Sequence, residues 1–297
     1  MFSTLTHHGA KETIEGLALG AADYVTKPTR YDSPIDALEA VRAELVPRIK
    51  AIVASARAAS AALQATRSTR NGSDPPAAPV AAQTVTRGAM VEAVVVGSST
   101  GGPNALAEVI SGLPAGLRVP VLVAQHMPPV YTTYLAQRLD GLSALTVREA
   151  IDGERAHAGT VYIAPGDHHL SLLASAAGAT IVLTQTPPVN HCRPAVDVLF
   201  AAATAWGKNT LAVVLTGMGR DGRDGCAALR ALGAQVLVQD EATSVVWGMP
   251  GAVCEAGLAD EVLPIDKIAA AIVRLTTAGS GFRRSSSFSG SGPGTGA

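Results

Sequence analysis

A mainly parallel, doubly wound α/β sheet with helices on both faces is the fold class predicted for residues 91–276. Short uncharged runs rich in β-branched residues alternate there with segments whose apolar residues recur at helical spacing. Several of these runs break into turns bounded by glycine or proline, as strands do where they hand over to helices. A chain of 297 residues, 47% apolar and 16% charged, is also long and apolar enough to bury a large core.

Along residues 1–52, Thr13, Ile14, Leu17 and Ala18 give a short helical face closed by Gly20. Asp23 to Thr26 reads as a strand ended by Lys27-Pro28, and a second helix carries Ile35, Leu38, Val41 and Leu45. One strand and two helices enclose little core by themselves. Ala, Ser, Thr and Pro dominate from 53 to 90, with Asn71-Gly72 and Asp74-Pro75-Pro76 as helix breakers. The first part, through Leu63, is compatible with a continued helix, and the rest is expected to be a flexible linker. Residues 91–276 then read as strands at Val91–Val96, Val119–Ala124, Thr160–Ile163, Ala179–Leu183, Leu211–Leu215 and Val236–Val238, with helices between them. The Ser- and Gly-rich residues 277–297, with Arg283-Arg284, are expected to form a disordered tail.

Composition narrows the function. A net charge of −1 carries no whole-chain signature of nucleic-acid binding. No uncharged apolar run approaches the ~18–20 residues that span a bilayer, and the N-terminus lacks a secretory signal pattern, so a cytoplasmic location without membrane insertion is expected. Cys192, Cys226 and Cys254 are odd in number and lack C-x-x-C spacing, which argues for buried free thiols and against a disulfide framework or a zinc site.

Three polar residues fall just beyond predicted strands: Ser99, His126 and Asp221. Gly97, Ser99 and Gly101 satisfy G-x-S-x-G, in which flanking glycines let the backbone bend sharply and leave the serine oxygen accessible. His126 is delivered by a buried strand into a Pro-bounded loop. If the strands are parallel, all three side chains reach one edge of the sheet, where doubly wound folds bind ligands. A serine hydroxyl holds its proton at neutral pH, so an imidazole must take that proton during attack and return it to the leaving group. A carboxylate on the other ring nitrogen fixes the tautomer. In the run from Thr216 to Gly225 either Asp221 or Asp224 fits that position, either also fits a helix cap, and the glycines free N–H groups to face an oxyanion.

Gly97-Ser98-Ser99-Thr100-Gly101-Gly102, Gln125-His126-Met127-Pro128, Ile163-Ala164-Pro165-Gly166-Asp167, Arg193-Pro194-Ala195-Val196-Asp197-Val198-Leu199-Phe200 and Leu215-Thr216-Gly217-Met218-Gly219-Arg220-Asp221-Gly222 occur in this order. Together they resemble the catalytic domain of the chemotaxis protein-glutamate methylesterases, the CheB family, from about 92 to 275. The resemblance implies Ser99 as nucleophile, His126 as general base and then acid, and Asp221, not Asp224, as the orienting carboxylate. It implies the Met218 backbone N–H as an oxyanion donor and a Rossmann-like sheet. Thr100 and Arg193 are candidates for the cleft, and Asp197 is expected in a surface or capping role. The implied reaction is hydrolysis of glutamate γ-methyl esters on the cytoplasmic helices of methyl-accepting chemotaxis receptors, with deamidation of receptor glutamines as a second activity. Neither a metal nor another cofactor is needed for it. The chain order Ser, His, Asp differs from the Ser, Asp, His order of α/β-hydrolases.

The N-terminal fragment resembles the last third of a flavodoxin-like response-regulator receiver domain. Ser3 would match its switch hydroxyl, Tyr24 its switch aromatic and Lys27 its phosphoryl-contacting lysine. The acidic metal-binding pair and the phosphorylated aspartate of that family have no counterpart here. A phosphodonor kinase is therefore not expected to act on this chain, and the catalytic cleft is expected to stand open. The sequence also admits two rival readings: a non-catalytic interaction module, and a nucleotide-binding domain, against which the absence of G-x-G-x-x-G and of a Walker loop argues.

Overall fold

The chain begins with a short parallel pair, β1 (Phe2–Ser3) and β2 (Val25–Thr26), joined by α1 (His7–Ala18) and followed by the long helix α2 (Pro34–Thr69). The structure, a computed structural model, describes residues 1–4, 6–28, 33–69, 90–175 and 178–277. Thr6 caps α1, its side chain accepting from the Gly9 N–H at 3.1 Å. Ala10, Thr13, Ile14 and Leu17 line the buried face of that helix. α2 continues past residue 53, where the linker was expected to begin, to Thr69; the Ala-rich stretch from 51 onward has the best intrinsic helix propensity available. The expected linker residues 70–89 and the expected tail from 278 lie outside the described residues.

The remaining elements in chain order are β3 (Ala93–Ser98), α3 (Gly102–Ser111), β4 (Val121–Gln125), α4 (Tyr131–Asp140), β5 (Thr146–Glu149), β6 (Thr160–Ile163), β7 (His169–Ser175), β8 (Gly178–Thr184), α5 (Val196–Ala203), β9 (Thr210–Val214), α6 (Arg223–Ala231), β10 (Gln235–Gln239), α7 (Met249–Glu255), β11 (Glu261–Leu263) and α8 (Ile265–Thr277). Seven strands form one sheet in the order β11-β10-β9-β3-β4-β6-β5, every pair parallel. The predicted strand at Ala179–Leu183 does not join it. That segment belongs to β8, which pairs antiparallel with β7 as a separate hairpin. Burial explains the difference: β3, β4 and β9 are buried at every position, whereas β8 alternates toward partial exposure, as one-faced strands do.

Side-chain alternation along β3 divides the core in two. Val94 and Val96 face a cluster with Leu106 and Ile110 of α3, Leu135 of α4 and Ile272 of α8. Val95 faces the other layer, with Phe200 of α5, Leu229 of α6 and Val253 of α7. The first layer also takes in Ala10, Ile14, Leu17 and Tyr24. The N-terminal fragment, too small to enclose a core, buries its apolar face on α3 and α4 instead. β3 lies between β4 and β9, and the chain winds outward on both sides from there, so the carboxyl ends of β3, β4 and β9 frame the switch point at which such sheets bind ligands.

Candidate active site

Ser99 is the first residue beyond β3, and its turn is clamped on both sides. Its N–H donates to the Thr216 carbonyl beyond β9 at 3.0 Å, and its carbonyl accepts from Gly102 N at 2.8 Å and Gln125 Nε2 at 2.9 Å. Gly101, at φ 78°, lies in the left-handed region that glycine tolerates, and a Cβ there would stand 2.6 Å from Val245. The parallel register pairs Ser98 with Gln125, so the next residues, Ser99 and His126, lie side by side on the opposite face. Ser98 Oγ donates to Gln125 Oε1 at 2.6 Å, while Gln125 Nε2 reaches the Ser99 and His126 carbonyls.

His126 is held from both ends of its ring. Nε2 lies 2.7 Å from Asp221 Oδ2, and Nδ1 lies 3.4 Å from Cys192 Sγ. The structure thus joins His126 to Asp221 and sets Ser99 on the adjoining strand end, but among the described residues the ring makes no hydrogen bond to the Ser99 hydroxyl. Asp221 is almost completely buried. Its Oδ2 also accepts from Val196 N at 2.6 Å, and its Oδ1 accepts from Asn190 Nδ2 at 2.9 Å, Asp197 N at 3.0 Å and Gly222 N at 3.1 Å. Burial disfavours the charge on Asp221, but the hydrogen bond and charge of His126 and the N–H donors outweigh it and hold the carboxyl well below the usual carboxylate range. Burial likewise works to lower the His126 pKa. The hydrogen bond to Asp221, the Cys192 thiol and the Asp221 charge overcome it and push the ring up to about 9.

The choice between the two aspartates is made by geometry. Asp224 is exposed and pairs with its neighbour Arg223 at 2.7 Å, away from the imidazole. Met218 follows β9 in the glycine-bounded run, its side chain exposed, and its N–H has no hydrogen-bond partner among the described residues. Arg193 lines the cleft, but its guanidinium is engaged by Asp167 at 2.9 Å through Nε and by the Gln185 and Thr186 carbonyls. Cys192, expected only as a buried thiol, is half-buried against His126. No local pattern announces that contact. Asp197 does cap a helix, but that helix is α6, through Gly222 N and Gly225 N, and not its own. Burial, opposed by the Gly225 N–H and reinforced by the Asp221 charge, pushes the Asp197 carboxyl up to about 6.

The expectation of an open cleft is corrected. Tyr24, Thr26 and Arg48 of the N-terminal fragment wall the same cleft as His126, Cys192 and Arg193. Thr100, expected at the cleft, donates to Asp23 Oδ2 at 2.8 Å, and the same oxygen accepts from Arg48 at 2.9 Å. Asn104 holds the Leu17 carbonyl at 2.8 Å, and the Tyr131 hydroxyl holds that of Thr4 at 2.9 Å. Tyr24 stacks on Tyr131 with ring centres 4.8 Å apart. Ser3 Oγ bonds the Gly9 carbonyl and the Lys27 ammonium lies over the Phe2 ring, so each engages a neighbour within the fragment. Fragments of this size dock wherever their apolar face finds cover, and here that cover lies beside the cleft.

Among the described residues no group of three or more His, Cys, Asp or Glu side chains could hold a metal ion, and no helix is long and apolar enough to cross a membrane. Fold and site together define a doubly wound α/β protein with a histidine–aspartate dyad beside a glycine-flanked serine at the switch point of its sheet. Residues 94–272 match the family model described as CheB methylesterase, and the chain belongs to that family. It is 48% identical over 271 residues to protein-glutamate methylesterase/protein-glutamine glutaminase 2 of Caulobacter vibrioides, covering 90% of this chain and 74% of that protein. The protein-glutamate methylesterase/protein-glutamine glutaminase of Trichodesmium erythraeum is 45% identical over 279 residues, 92% and 76% of the two chains. The crystal structure of the Thermotoga maritima CheB methylesterase catalytic domain superposes with a TM-score of 0.61 at 46% identity, covering 62% of this chain and 98% of that one.

Proposed function

We propose that Ser99, His126 and Asp221 form the catalytic triad of this protein-glutamate methylesterase and protein-glutamine glutaminase of bacterial chemotaxis. The single observation that carries the reading is the 2.7 Å bond from His126 to Asp221 on the sheet edge that also presents Ser99. Asp221 accepts from Nε2–H, which leaves the Nδ1 lone pair to serve as base. The ring turns from Cys192 toward Ser99 as substrate seats, takes the hydroxyl proton, and the serine oxygen attacks the side-chain carbonyl. The Met218 N–H receives the developing oxyanion. The ring returns its proton to the departing methoxide, which leaves as methanol; water then hydrolyses the acyl-enzyme by the same route. With glutamine in place of the ester, ammonia leaves and glutamate again results. The substrates are the cytoplasmic helices of methyl-accepting receptors, which places the reaction in the cytoplasm. Methanol released from methyl-labelled receptor membranes tests the reading, and none released by the pure protein would end it.

Two expectations follow from the site. Below about 9 the His126 ring is mostly protonated and cannot accept the Ser99 proton, so turnover should rise roughly tenfold per pH unit from neutrality until it bends near 9. Cys192→Ala removes one of the contacts that raise the ring, and the bend should move to lower pH. A profile flat from pH 7 upward in both proteins would contradict the role given to His126.

Removing the Asp23 carboxylate releases Thr100, whose hydrogen bond ties the N-terminal fragment to the turn after β3, and also unpairs Arg48 within the fragment. Charge-assisted bonds of this kind are worth about 1.5–3 kcal/mol, so Asp23→Ala should raise methanol release roughly 10- to 150-fold if the fragment hinders receptor entry. An unchanged rate would show that the fragment does not obstruct the substrate.

A further inference from the structure

The supports of Asp221 form an arrangement that the triad alone does not require. Asp221 precedes α6 yet accepts the first N–H groups of α5, Val196 at 2.6 Å and Asp197 at 3.0 Å. Asp197 lies on α5 yet accepts N–H groups at the start of α6, Gly222 at 2.9 Å and Gly225 at 2.7 Å. Each carboxylate caps the other's helix, so neither helix can shift without moving both side chains. Asn190 ties the pair together: its amide nitrogen reaches Asp197 Oδ2 at 2.8 Å and Asp221 Oδ1 at 2.9 Å. The close crossing needs glycine at the contact, since a Cβ on Gly225 would lie 2.5 Å from Phe200 Cβ.

Two neighbouring carboxylates repel each other unless donors stand between and around them. Here one amide and two helix N-termini supply those donors, and the positive ends of both helix dipoles face the pair. With Oδ1 of Asp221 fully engaged, Oδ2 keeps one direction toward His126. We propose that Asn190 and Asp197 are positioning residues of the esterase, which lock the Asp221 carboxylate across two helix starts so that Oδ2 stays aimed at His126 Nε2 during turnover. This rests on the reading of Asp221 as the orienting carboxylate of the triad.

The test uses the full chain with methylated receptor membranes and a fluorophosphonate that labels Ser99. Asn190→Gly removes the bridging amide at an exposed position with φ 52°, a conformation glycine adopts without strain. Asp197→Asn keeps an acceptor oxygen for Gly222 and Gly225 but turns an N–H₂ group toward the Asn190 amide. Each variant should lower kcat about 10- to 100-fold, the range seen when groups that orient a site ligand are removed, with KM changed less than twofold. The rate of Ser99 labelling should fall by the same factor, and Asn190→Gly should melt like the wild type. A lower melting temperature with wild-type kcat and labelling would reduce both residues to structural capping and overturn the proposal, as would a loss carried by KM. Asp221→Asn serves as the control: were it fully active, the triad reading itself would fail, whereas an inactive Asp221→Asn beside fully active Asn190→Gly and Asp197→Asn would overturn only this inference.

Discussion

Ser99→Ala should lower methanol release from methylated receptors by on the order of 10⁴–10⁶, the scale of losing a triad nucleophile. The substitution removes only the attacking oxygen. The turn itself is built by bonds to the Ser99 backbone, from Ser99 N to the Thr216 carbonyl and from Gly102 N and the Gln125 side-chain amide to the Ser99 carbonyl, none of which involves the Ser99 side chain. The variant should therefore melt like the wild type and still bind receptor. His126→Ala should lose activity on the same scale. Receptor adaptation unchanged by Ser99→Ala would sink the esterase mechanism and favour an interaction module.

Asp221→Asn should cost roughly 10⁴ in kcat, as replacing the triad carboxylate by its amide does elsewhere. An asparagine oxygen at the Oδ1 position can still accept from Asn190, Asp197 N and Gly222 N, which turns its amide toward His126 and Val196 N. That amide donates to Nε2 where the carboxylate accepted, so the proton moves to Nδ1 and the ring holds the wrong tautomer for Ser99. The ring also loses its counter-charge. Burial then acts against protonation without that compensation, and the His126 pKa should fall from about 9 toward or below 6.5. The residual activity should consequently reach its plateau at lower pH than that of the wild type. Kinetics across pH 5 to about 10 would check both parts, and a variant with nearly normal kcat and an unmoved bend would remove Asp221 from the mechanism.

Ser99 and His126 were legible because each follows directly on a short, largely apolar strand, whereas Asp221 stands six residues beyond Leu215. Runs such as Val94-Val95-Val96 and Leu211-Ala212-Val213-Val214 announce buried parallel strands, and polar residues directly beyond them must emerge at the crevice. Edge strands β5 and β11 carry little such signal, being short and only partly buried, and no expected strand falls on them. The β8 segment has the right residues for a strand, but its period of two does not say which sheet it joins. In the same way the apolar face of α1 was visible as a stripe, while its docking on α3 and α4 was not.

The amino-acid order alone determined the alternating architecture, the turn that exposes Ser99 and the strand that delivers His126, because these are set by patterns within about ten neighbouring residues. Local pattern left Asp221 and Asp224 equal and the family resemblance favoured Asp221, which the tertiary structure sets against the imidazole; only that structure decided that Cys192 stands at the other nitrogen, that Asp197 and Asn190 brace the carboxylate, and that the N-terminal fragment walls the cleft. Those contacts join residues 95, 66, 31 and 77 positions apart. At such separations the partners are chosen by how helices cross and which apolar faces find cover, and no local pattern records that choice.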